Sequence, residues 1–355
     1  MRKILLITVR SDYGGGPQHI LTLLKGLKGK FIFYIACPFE KPYIDYFQSY
    51  ATCINIPHRK FSLIRLIVLW KTVYLNKIDV IHSHGKGAGL YTRLLGILTQ
   101  KPVVHSFHGF HYKHLAPIKK FSYLLYERLF ARFTKLFINV TKSEQDECIT
   151  AKIFKKESSI IISNAVEMPP PLSNVRENIY FNIISVSRLA PEKGLDILLD
   201  VINLLTEKTK KIKVMLVGDG PSRDSLLNRV AVLNLQKYVL FLGFRDDIPN
   251  LLRDSDLYLS TSRGEAQGIS IMEAMAHSLP SVATDVIGHI DIVKNEYNGF
   301  LFNISSPGEG ADIIYKLIKD RHLREKIARN AYAYAKENFS IEVMSASLEK
   351  IYTSL

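Results

Sequence analysis

Short apolar runs alternate with longer stretches of helical periodicity along most of the chain. The runs are rich in β-branched residues and predict strands at residues 3–9, 31–37, 53–56, 80–84, 103–108, 136–140, 160–163, 181–186, 214–217, 239–244, 257–261 and 281–284. Between the runs, apolar residues recur at helical spacing, as at Ile20, Leu23, Leu24 and Leu27. Such alternation is typical of βαβ units, which build parallel sheets.

The alternation stops where Pro169, Pro170 and Pro171 are followed by polar residues, and it restarts beyond them. A stiff polar segment of this kind suits a linker. We therefore predict two α/β domains with Rossmann-like, doubly wound parallel sheets that face each other across a cleft, where ligands bind beyond the strand ends. The predicted segments are an N-terminal domain (1–168), a linker (169–178), a C-terminal domain (179–340) and a last helix that packs back toward the N-terminal domain (341–355).

Composition narrows the class of protein. The 355 residues are 47% hydrophobic and 23% charged, as in an ordinary globular protein, and no apolar run approaches the roughly 20 residues that span a bilayer. Residues 1–9 contain no signal-peptide core or cleavage site, so we expect a cytoplasmic protein. Cys37, Cys53 and Cys148 form no C-x-x-C pair and are predicted to be buried, reduced thiols.

The net charge of +14 is concentrated in the first half of the chain. Residues 1–170 hold 25 Lys and Arg against 10 Asp and Glu, whereas residues 171–355 hold 22 against 23. A one-sided field indicates that the first half approaches an anionic surface. Nucleic acid and the acidic inner leaflet of a membrane are the candidates.

A glycine run, Gly14 to Gly16, follows the first predicted strand, and Pro17 stands where a helix can begin. Small residues let the backbone approach a ligand, and free N–H groups at a helix start attract anions. A phosphate or a sugar oxygen fits this loop, although a turn without a ligand explains a lone glycine run equally well.

Arg188 and Lys193 lie five residues apart in the loop after the first strand of the C-terminal half. Both side chains could converge on a diphosphate, the guanidinium as a fork of donors and the ammonium as a point charge. A surface ion pair with Glu192 is the alternative.

The most specific motif spans residues 262–276, where a strand ends, a turn follows and a helix begins near Gly268. Glu265 lies in the turn, and Glu273 lies about one and a half turns into the helix. The helix start supplies donors for a phosphate, and each carboxylate can accept hydrogen bonds from a pair of sugar hydroxyls. The acidic preference of a first helical turn explains either glutamate singly, but not both.

Histidines are dense after two predicted strands, at His82, His84, His105, His108, His111 and His114. A zinc site is disfavoured, because Gly109 and the preceding strand interrupt any helix and three-residue spacing across a turn should scatter the rings. We predict a polar loop at the cleft, in which His108 hydrogen-bonds a substrate hydroxyl.

Asp254 and Asp256 have the spacing by which some sugar transferases hold a divalent cation. They precede a strand, which is the wrong end for a cleft residue in a parallel sheet, so we predict a cap and a turn.

In this order, the motifs resemble those of retaining, nucleotide-sugar-dependent glycosyltransferases with the two-domain GT-B fold, in particular bacterial members that build capsule, O-antigen and other surface polysaccharides. The resemblance covers essentially the whole chain and includes the family's pair of glutamates separated by seven residues. It rests on the glycine loop with His19, DVIHSHG (79–85), SFHGF (106–110), NVTKSE (139–144), SNAV (163–166), SRLAPEKG (187–194), VGDGP (217–221) and GEAQGISIMEAMA (264–276).

The resemblance implies a role for each motif. Arg188 and Lys193 would neutralise the donor diphosphate, and Glu273 would bind the ribose. Glu265 would hold the transferred sugar together with the nearby backbone, and His108 would lie near the sugar and the acceptor. The further donor-binding positions that the resemblance implies are Gly15 and Gly16, which would close over the donor, and Gly218, Gln267, Gly268 and Ile269.

The implied activity is transfer of a hexosyl or N-acetylhexosaminyl group, with retention, from a UDP-linked sugar to a hydroxyl of a lipid-linked saccharide. In such enzymes the leaving diphosphate deprotonates the acceptor, so catalysis would rest on stabilising the charge of the leaving group, with no cofactor or metal. Ala165, Ala266 and Gln267 depart from the usual family residues, so the resemblance does not identify the sugar.

Residues 111–135 suggest where the basic half would meet a membrane. The segment contains one acidic residue, Glu127, and its cations alternate with aromatic residues. These cations are Lys113, Lys119, Lys120, Arg128, Arg132 and Lys135. Each cation near an anionic leaflet contributes about 1 kcal/mol, so we expect peripheral association with the inner face of the cell membrane. In the alternative, the apolar residues of this helix form a buried stripe behind a solvated cationic face, namely Ile118, Phe121, Leu125 and Leu129.

Three other functions deserve comparison. An NAD-dependent oxidoreductase would need a third glycine where Arg223 follows Gly218 and Gly220. A nucleotide-sugar epimerase of the same fold would need no acceptor surface, so the lopsided charge disfavours it. A nucleic-acid binder is supported by charge alone, because no known nucleic-acid-binding module is present.

Overall fold

A computed structural model describes residues 1–110, 112, 115–171 and 179–355 of the chain. Two compact units are present: Met1–Ala165 with Ile341–Leu355 form unit 1, and Val166–Ser340 form unit 2. Unit 2 begins before residue 169, because Val166 forms a parallel bridge with Ser340. Of the predicted linker, residues 172–178 lie outside the described part of the chain.

Unit 1 alternates strands and helices from its first residues. Its elements, before the last helix of the chain, are β1 (Lys3–Thr8), α1 (Gly15–Gly26), β2 (Ile32–Cys37), α2 (Tyr43–Gln48), β3 (Thr52–Asn55), α3 (Leu63–Leu75), β4 (Val80–His84), α4 (Ala88–Thr99), β5 (Val103–Ser106), α5 (Pro117–Ala131), β6 (Leu136–Asn139), α6 (Lys142–Thr150) and β7 (Ser159–Ile161).

Unit 2 repeats the alternation. Its elements are β8 (Phe181–Val186), α7 (Leu195–Lys208), β9 (Ile212–Val217), α8 (Arg223–Val232), β10 (Val239–Gly243), α9 (Ile248–Arg253), β11 (Leu257–Ser260), α10 (Ile269–Ala276), β12 (Ser281–Thr284), α11 (His289–Ile292), β13 (Phe300–Phe302), α12 (Pro307–Lys319) and α13 (Arg321–Phe339). The last helix, α14 (Ile341–Ser354), belongs to unit 1.

Each unit is built on one parallel sheet. The strand orders are β3-β2-β1-β4-β5-β6-β7 in unit 1 and β10-β9-β8-β11-β12-β13 in unit 2. In unit 1, α1 and α14 pack together in one core, and α3 and α4 contribute to a second. Because helices cover both faces of the sheet, the central residues Ile4 and Leu5 are fully buried. The predicted α/β class with two doubly wound sheets is confirmed.

The predicted strands are all present, with shifted ends. The strand β13, of three residues, was not predicted. The strand β5 ends at Ser106, before the predicted end at residue 108, and His108 adopts a left-handed backbone with φ of 54°. His108 therefore lies in the loop beyond the strand.

A buried ion pair joins α4 to α5. Arg93 donates to Glu127 at 2.8 Å, and both side chains are fully buried. Arg93 also donates to the hydroxyl of Thr134 at 3.2 Å. The pair fixes α5 against α4. Because Glu127 is the only acidic residue of α5, its burial leaves no negative charge on the outer surface of that helix.

The predicted alternative of a buried apolar stripe on α5 is wrong. Ile118 is 82% exposed and Phe121 is 67% exposed, and Leu125 and Leu129 are exposed as well. No helix among the described residues combines the length and the apolar character needed to cross a membrane.

We predict that Glu127→Gln lowers the free energy of unfolding by about 3 kcal/mol, because it leaves the Arg93 charge buried without a counter-charge. Urea titration followed by circular dichroism measures the loss. The matched control is Asp146→Asn in α6, which breaks an exposed pair with Lys142 and should cost less than about 0.5 kcal/mol. Equal, small losses for both variants would contradict the assignment.

Candidate functional site

The carboxyl ends of β9, β8, β11 and β12 meet at one edge of the unit 2 sheet. The loops that follow them are joined by main-chain hydrogen bonds. Leu189 N–H donates to Asp219 O at 3.0 Å, and Glu265 N–H donates to Ile287 O at 3.1 Å. The motifs selected from the C-terminal half of the sequence therefore lie at one edge, where open α/β sheets bind ligands.

Two glycines allow these loops to approach each other. A Cβ atom at Gly194 would collide with the carbonyl oxygen of Thr261, and one at Gly218 would collide with that of Ser187. Both glycines have positive φ, at 58° and 127°, which other residues rarely adopt. Gly218 thus has a packing role, and its predicted contact with a donor stays a prediction.

Arg188 forms the surface ion pair that was the alternative to its predicted diphosphate contact. Its guanidinium contacts Glu192, and both side chains are largely exposed. Exposed pairs of this kind contribute about 0–1 kcal/mol, so Arg188 can exchange Glu192 for a stronger anion at little cost. The pair is therefore compatible with the predicted role of Arg188.

Lys193 forms an ion pair with Glu265, from the loop after β8 to the loop after β11. Ser262 also donates to Glu265, at 2.8 Å. Burial pushes the pKa of Glu265 upward, but the charge and hydrogen bond of Lys193 outweigh it and hold the pKa below its ordinary value. The carboxylate is therefore ionised at neutral pH and can accept hydrogen bonds.

The helix α10 begins directly after these loops. Gly268 caps it in the left-handed conformation with φ of 66°, Ile269 is its first residue, and the Gln267 side chain is buried. Burial, with a smaller contribution from the charge of Glu167, raises the pKa of Glu273 to about 7. Glu273 is thus poised between its neutral and ionised forms near neutral pH.

Sequence reasoning missed two further contributors to this edge. Arg263 donates to the carbonyl of Pro191 at 2.7 Å and pairs with Asp196, which ties the loop after β11 to the start of α7. His289 is buried, with Nε2 3.2 Å from the Ser260 hydroxyl and Nδ1 3.0 Å from the Thr284 carbonyl. The available signal was that His289 follows Gly288 in the loop after the predicted strand at residues 281–284.

The acidic pair Asp254 and Asp256 lies at the amino end of β11, as predicted. Asp256 accepts from Asn182 N–H at 2.8 Å, and the Asp254 carbonyl accepts from the Asn182 side chain at 3.2 Å. These residues fasten β11 to the start of β8.

In unit 1, α1 begins at Gly15, so Gly15 and Gly16 form its first turn and the helix starts before Pro17. A Cβ atom at Gly16 would meet no atom within 4 Å. Beside Gly14, the Arg10 guanidinium is held by Asp12 at 2.8 Å. The first turn is therefore open, with a cation next to it.

Three histidines gather at the strand ends of unit 1. The Nδ1 atom of His84 lies 3.1 Å from Nε2 of His108, and the ring of His19 lies 4.5 Å from that of His108 between centroids. The spacing argument concerned His105, His108, His111 and His114, so it gave no expectation for the approach of His19 and His84 to His108. His111 and His114 lie outside the described residues.

Burial lowers the pKa of His19 to about 4 and holds the pKa of His84 and His108 well below the ordinary value. The three rings are therefore neutral at pH 7. Their ligand nitrogens all lie within 4.8 Å of one another, so among the described residues they are the group that could hold a metal ion. The hydrogen bond between His84 and His108 already gives one nitrogen of each ring a partner that is not a metal ion.

Glu144 holds the loop that carries His108. Its carboxylate accepts from Gly109 N–H, and from Val140 N–H at 2.8 Å, while its own N–H donates to Thr141 Oγ1 at 3.1 Å. Burial raises the pKa of Glu144 to about 7, although the hydrogen bonds from Val140 and Gly109 oppose the rise. Glu144 is thus a positioning residue for His108.

Two known protein families match the chain. The family described as "Glycosyltransferase Family 4" matches residues 13–168, and the family described as "Glycosyl transferases group 1" matches residues 173–334. The two matches together span most of the chain and follow the division into two units. The chain belongs to the GT-B glycosyltransferases.

Relatives of this glycosyltransferase include the UDP-Gal:alpha-D-GlcNAc-diphosphoundecaprenol alpha-1,3-galactosyltransferase of Escherichia coli, 27% identical over 83% of each chain. The O-antigen biosynthesis glycosyltransferase WbnH of Escherichia coli is 24% identical over 96% of this chain and 97% of its own. Among solved structures, Anabaena Alr3699/HepE in complex with UDP and glucose has a TM-score of 0.86 at 24% identity, over the whole of both chains. These similarities lend no support to the oxidoreductase or epimerase alternatives.

For this glycosyltransferase, we predict that Glu144→Gln flattens the dependence of stability on pH. The folded protein holds the Glu144 proton up to about pH 7, whereas the unfolded chain releases it near pH 4.5. The free energy of unfolding should therefore fall as the pH rises from 5 to 8, and Glu144 should account for roughly 2 kcal/mol of that fall.

Urea titrations at several pH values measure this difference. The control is Glu157→Gln, at an exposed position of unit 1, which should keep the wild-type pH profile. Parallel profiles for wild type and Glu144→Gln would show that Glu144 ionises in the folded state as it does in the unfolded chain.

Proposed function

We propose that the chain transfers a hexosyl or N-acetylhexosaminyl group from a UDP-sugar, with retention, to a hydroxyl of a lipid-linked glycan in bacterial surface polysaccharide synthesis. The observation that carries the proposal is the edge of unit 2, where adjoining loops supply Arg188, Lys193 and Glu265, and the helix α10 that follows them supplies Glu273. The Escherichia coli relative is named for UDP-Gal as its donor, and the Anabaena structure contains UDP.

The diphosphate would bind the cations of this edge. Arg188 would replace its exposed contact with Glu192 by a bidentate contact with phosphate oxygens, which is stronger because two parallel hydrogen bonds form to a group with more negative charge than one carboxylate. Lys193 would add a second positive charge, and the N–H groups at the start of α10 would add the favourable end of the helix dipole. Together they would stabilise the charge of the leaving diphosphate.

The carboxylates would select the hydroxyl groups. Glu273 would accept hydrogen bonds from the ribose once it is ionised, and Glu265 would accept from the transferred sugar while it stays paired with Lys193. Gln267, Gly268 and Ile269 would contribute backbone groups to the same sugar. Lys193 thus would link the diphosphate to the carboxylate that holds the sugar.

Retention would follow if the acceptor attacks the face from which the diphosphate leaves. The departing diphosphate would take the acceptor proton, so no side chain would need to act as the base. His108 would contact the sugar and the acceptor as a neutral hydrogen-bonding group, since its depressed pKa keeps the ring uncharged. Gly15 and Gly16 would leave room for the donor. The donor would bind without a metal ion.

A lipid-linked acceptor would require the enzyme to work at a membrane. The Escherichia coli relative is named for an acceptor on diphosphoundecaprenol. In this chain, Ile118 and Phe121 of α5 are exposed and flank Lys119 in sequence, and Arg128 is exposed further along the same helix. We therefore propose peripheral association with the anionic inner face of the cell membrane through unit 1.

Isothermal titration of UDP tests the donor site. Glu273→Gln should raise the Kd for UDP roughly 10- to 100-fold, because it removes hydrogen bonds to a charged acceptor. Since the pKa of Glu273 is about 7 in the free protein, wild-type affinity should also fall as the pH drops from 8 to 6, and the variant should lack this component.

The control for the titration is Glu207→Gln, an exposed position of α7, which should leave the Kd unchanged. UDP should raise the melting temperature in the presence of EDTA, and NAD should not. An unchanged Kd in Glu273→Gln would remove that residue from the site, and stabilisation by NAD alone would overturn the proposed donor.

A further inference from the structure

The helix α3 carries two apolar stripes where its place in the fold needs one. Its inner stripe, Leu66, Leu69 and Val73, is buried in the core with α4 and the sheet. A helix that covers a sheet is stabilised by one such stripe and is usually polar on its other side. The outer stripe of α3 consists instead of Leu63, Ile64, Ile67, Trp70, Tyr74 and Leu75, all exposed.

The neighbours of α3 continue this surface. The helix α4 lies next to α3, where the Tyr91 hydroxyl accepts from Ser62 N–H at 2.7 Å. The helix α5 lies next to α4, where Arg93 pairs with Glu127. We call these three helices the α3–α5 layer. Beyond α3, its exposed apolar side chains are Ile97, Leu98, Ile118, Phe121, Leu125 and Leu129.

The charges of the α3–α5 layer have one sign. The helices α3 and α4 contain no Asp or Glu, and Glu127 of α5 is buried against Arg93. The exposed cations in and beside the layer include Arg59, Lys60, Lys71, Lys77, Lys119, Arg128 and Arg132. A surface with apolar centres and cationic surroundings is complementary to an anionic bilayer, which offers both acyl chains and negative headgroups.

A second copy of the chain would fit this surface poorly. A two-fold interface places the same patch against itself, so the cations of one layer would face those of the other without a carboxylate between them. An anionic lipid surface has the opposite charge. The charge pattern therefore favours a bilayer over a dimer.

We propose that α3 lies in the plane of an anionic bilayer and inserts its outer stripe, with Trp70 and Tyr74 at the level of the headgroups. This inference rests on the proposed membrane acceptor and extends it, because α3 rather than α5 becomes the inserted helix and α5 contributes its cations alongside. The signal in the sequence was a basic segment, residues 59–77, in which every charged side chain is positive.

Trp70 is the only tryptophan of the chain, so its emission reports on α3 without labelling. The probe is the full chain with vesicles of phosphatidylglycerol and phosphatidylcholine, compared with phosphatidylcholine alone. With anionic vesicles, Trp70 emission should shift to the blue and should be quenched by lipids brominated on their acyl chains. High salt should weaken the binding.

The test variant is Ile64→Glu with Leu75→Glu, at positions that are each 74% exposed, so the fold should not depend on them. We expect at least a tenfold lower partition into anionic vesicles and an unchanged Kd for UDP. The control is Val232→Glu in unit 2, which is 78% exposed and should leave partition unchanged. Circular dichroism checks that each variant folds.

The outcomes separate the alternatives. Sedimentation with vesicles but unchanged Trp70 emission would overturn insertion of α3 and leave association through α5 standing. A dimer seen by light scattering without lipid, and abolished by the glutamate variant, would show that a second copy covers the layer and would overturn the proposal. Failure to bind UDP with intact insertion of Trp70 would refute the proposed function and not this inference.

Discussion

Lys193 and Glu265 form the ion pair on which the edge of unit 2 depends. The two side chains come from loops that are far apart in sequence and that follow neighbouring strands, β8 and β11. Glu265 is held by Lys193 and Ser262, and the Thr261 hydroxyl lies 3.4 Å from the Lys193 carbonyl. Around this pair, Arg188 is held only by an exposed contact, and Glu273 lies close to its point of ionisation. The pair is thus the ordered part of a site in which two other proposed donor-binding charges, Arg188 and Glu273, can respond to a ligand.

Much of the fold could be predicted from the sequence, because each buried strand and each helix leaves its own periodicity. The same is true of residues 262–276, where the end of a strand, a turn and a helix start follow one another along the chain. The histidine group of unit 1 could not be predicted in this way. His84 ends β4, His108 lies in the loop after β5, and His19 lies in α1, the helix after β1. Only the strand order brings these three strand ends together. Spacing within residues 105–114 therefore could not reveal this group.

For surface helices, the sequence pattern predicts the helix but not which of its faces is buried. The apolar spacing of α5 fits a buried stripe and an exposed one equally well, and burial alone decides between them. In α3 the two stripes coexist, one in the core and one exposed. An exposed stripe contributes nothing to the folding of unit 1 and raises the risk of aggregation, so a partner surface explains it better than stability does. The exposed stripe of α3 lies in the first half of the chain, which also carries the excess of positive charge.

A double-mutant cycle on Lys193 and Glu265 tests most directly whether their ion pair organises the donor site. UDP is the right ligand because it lacks the sugar, so Glu265 can influence its binding only through Lys193. We expect Glu265→Gln to change the Kd for UDP severalfold in the wild-type background and to have no effect in Lys193→Met. An equal change in both backgrounds would show that the two residues act independently and would contradict the central role of the pair.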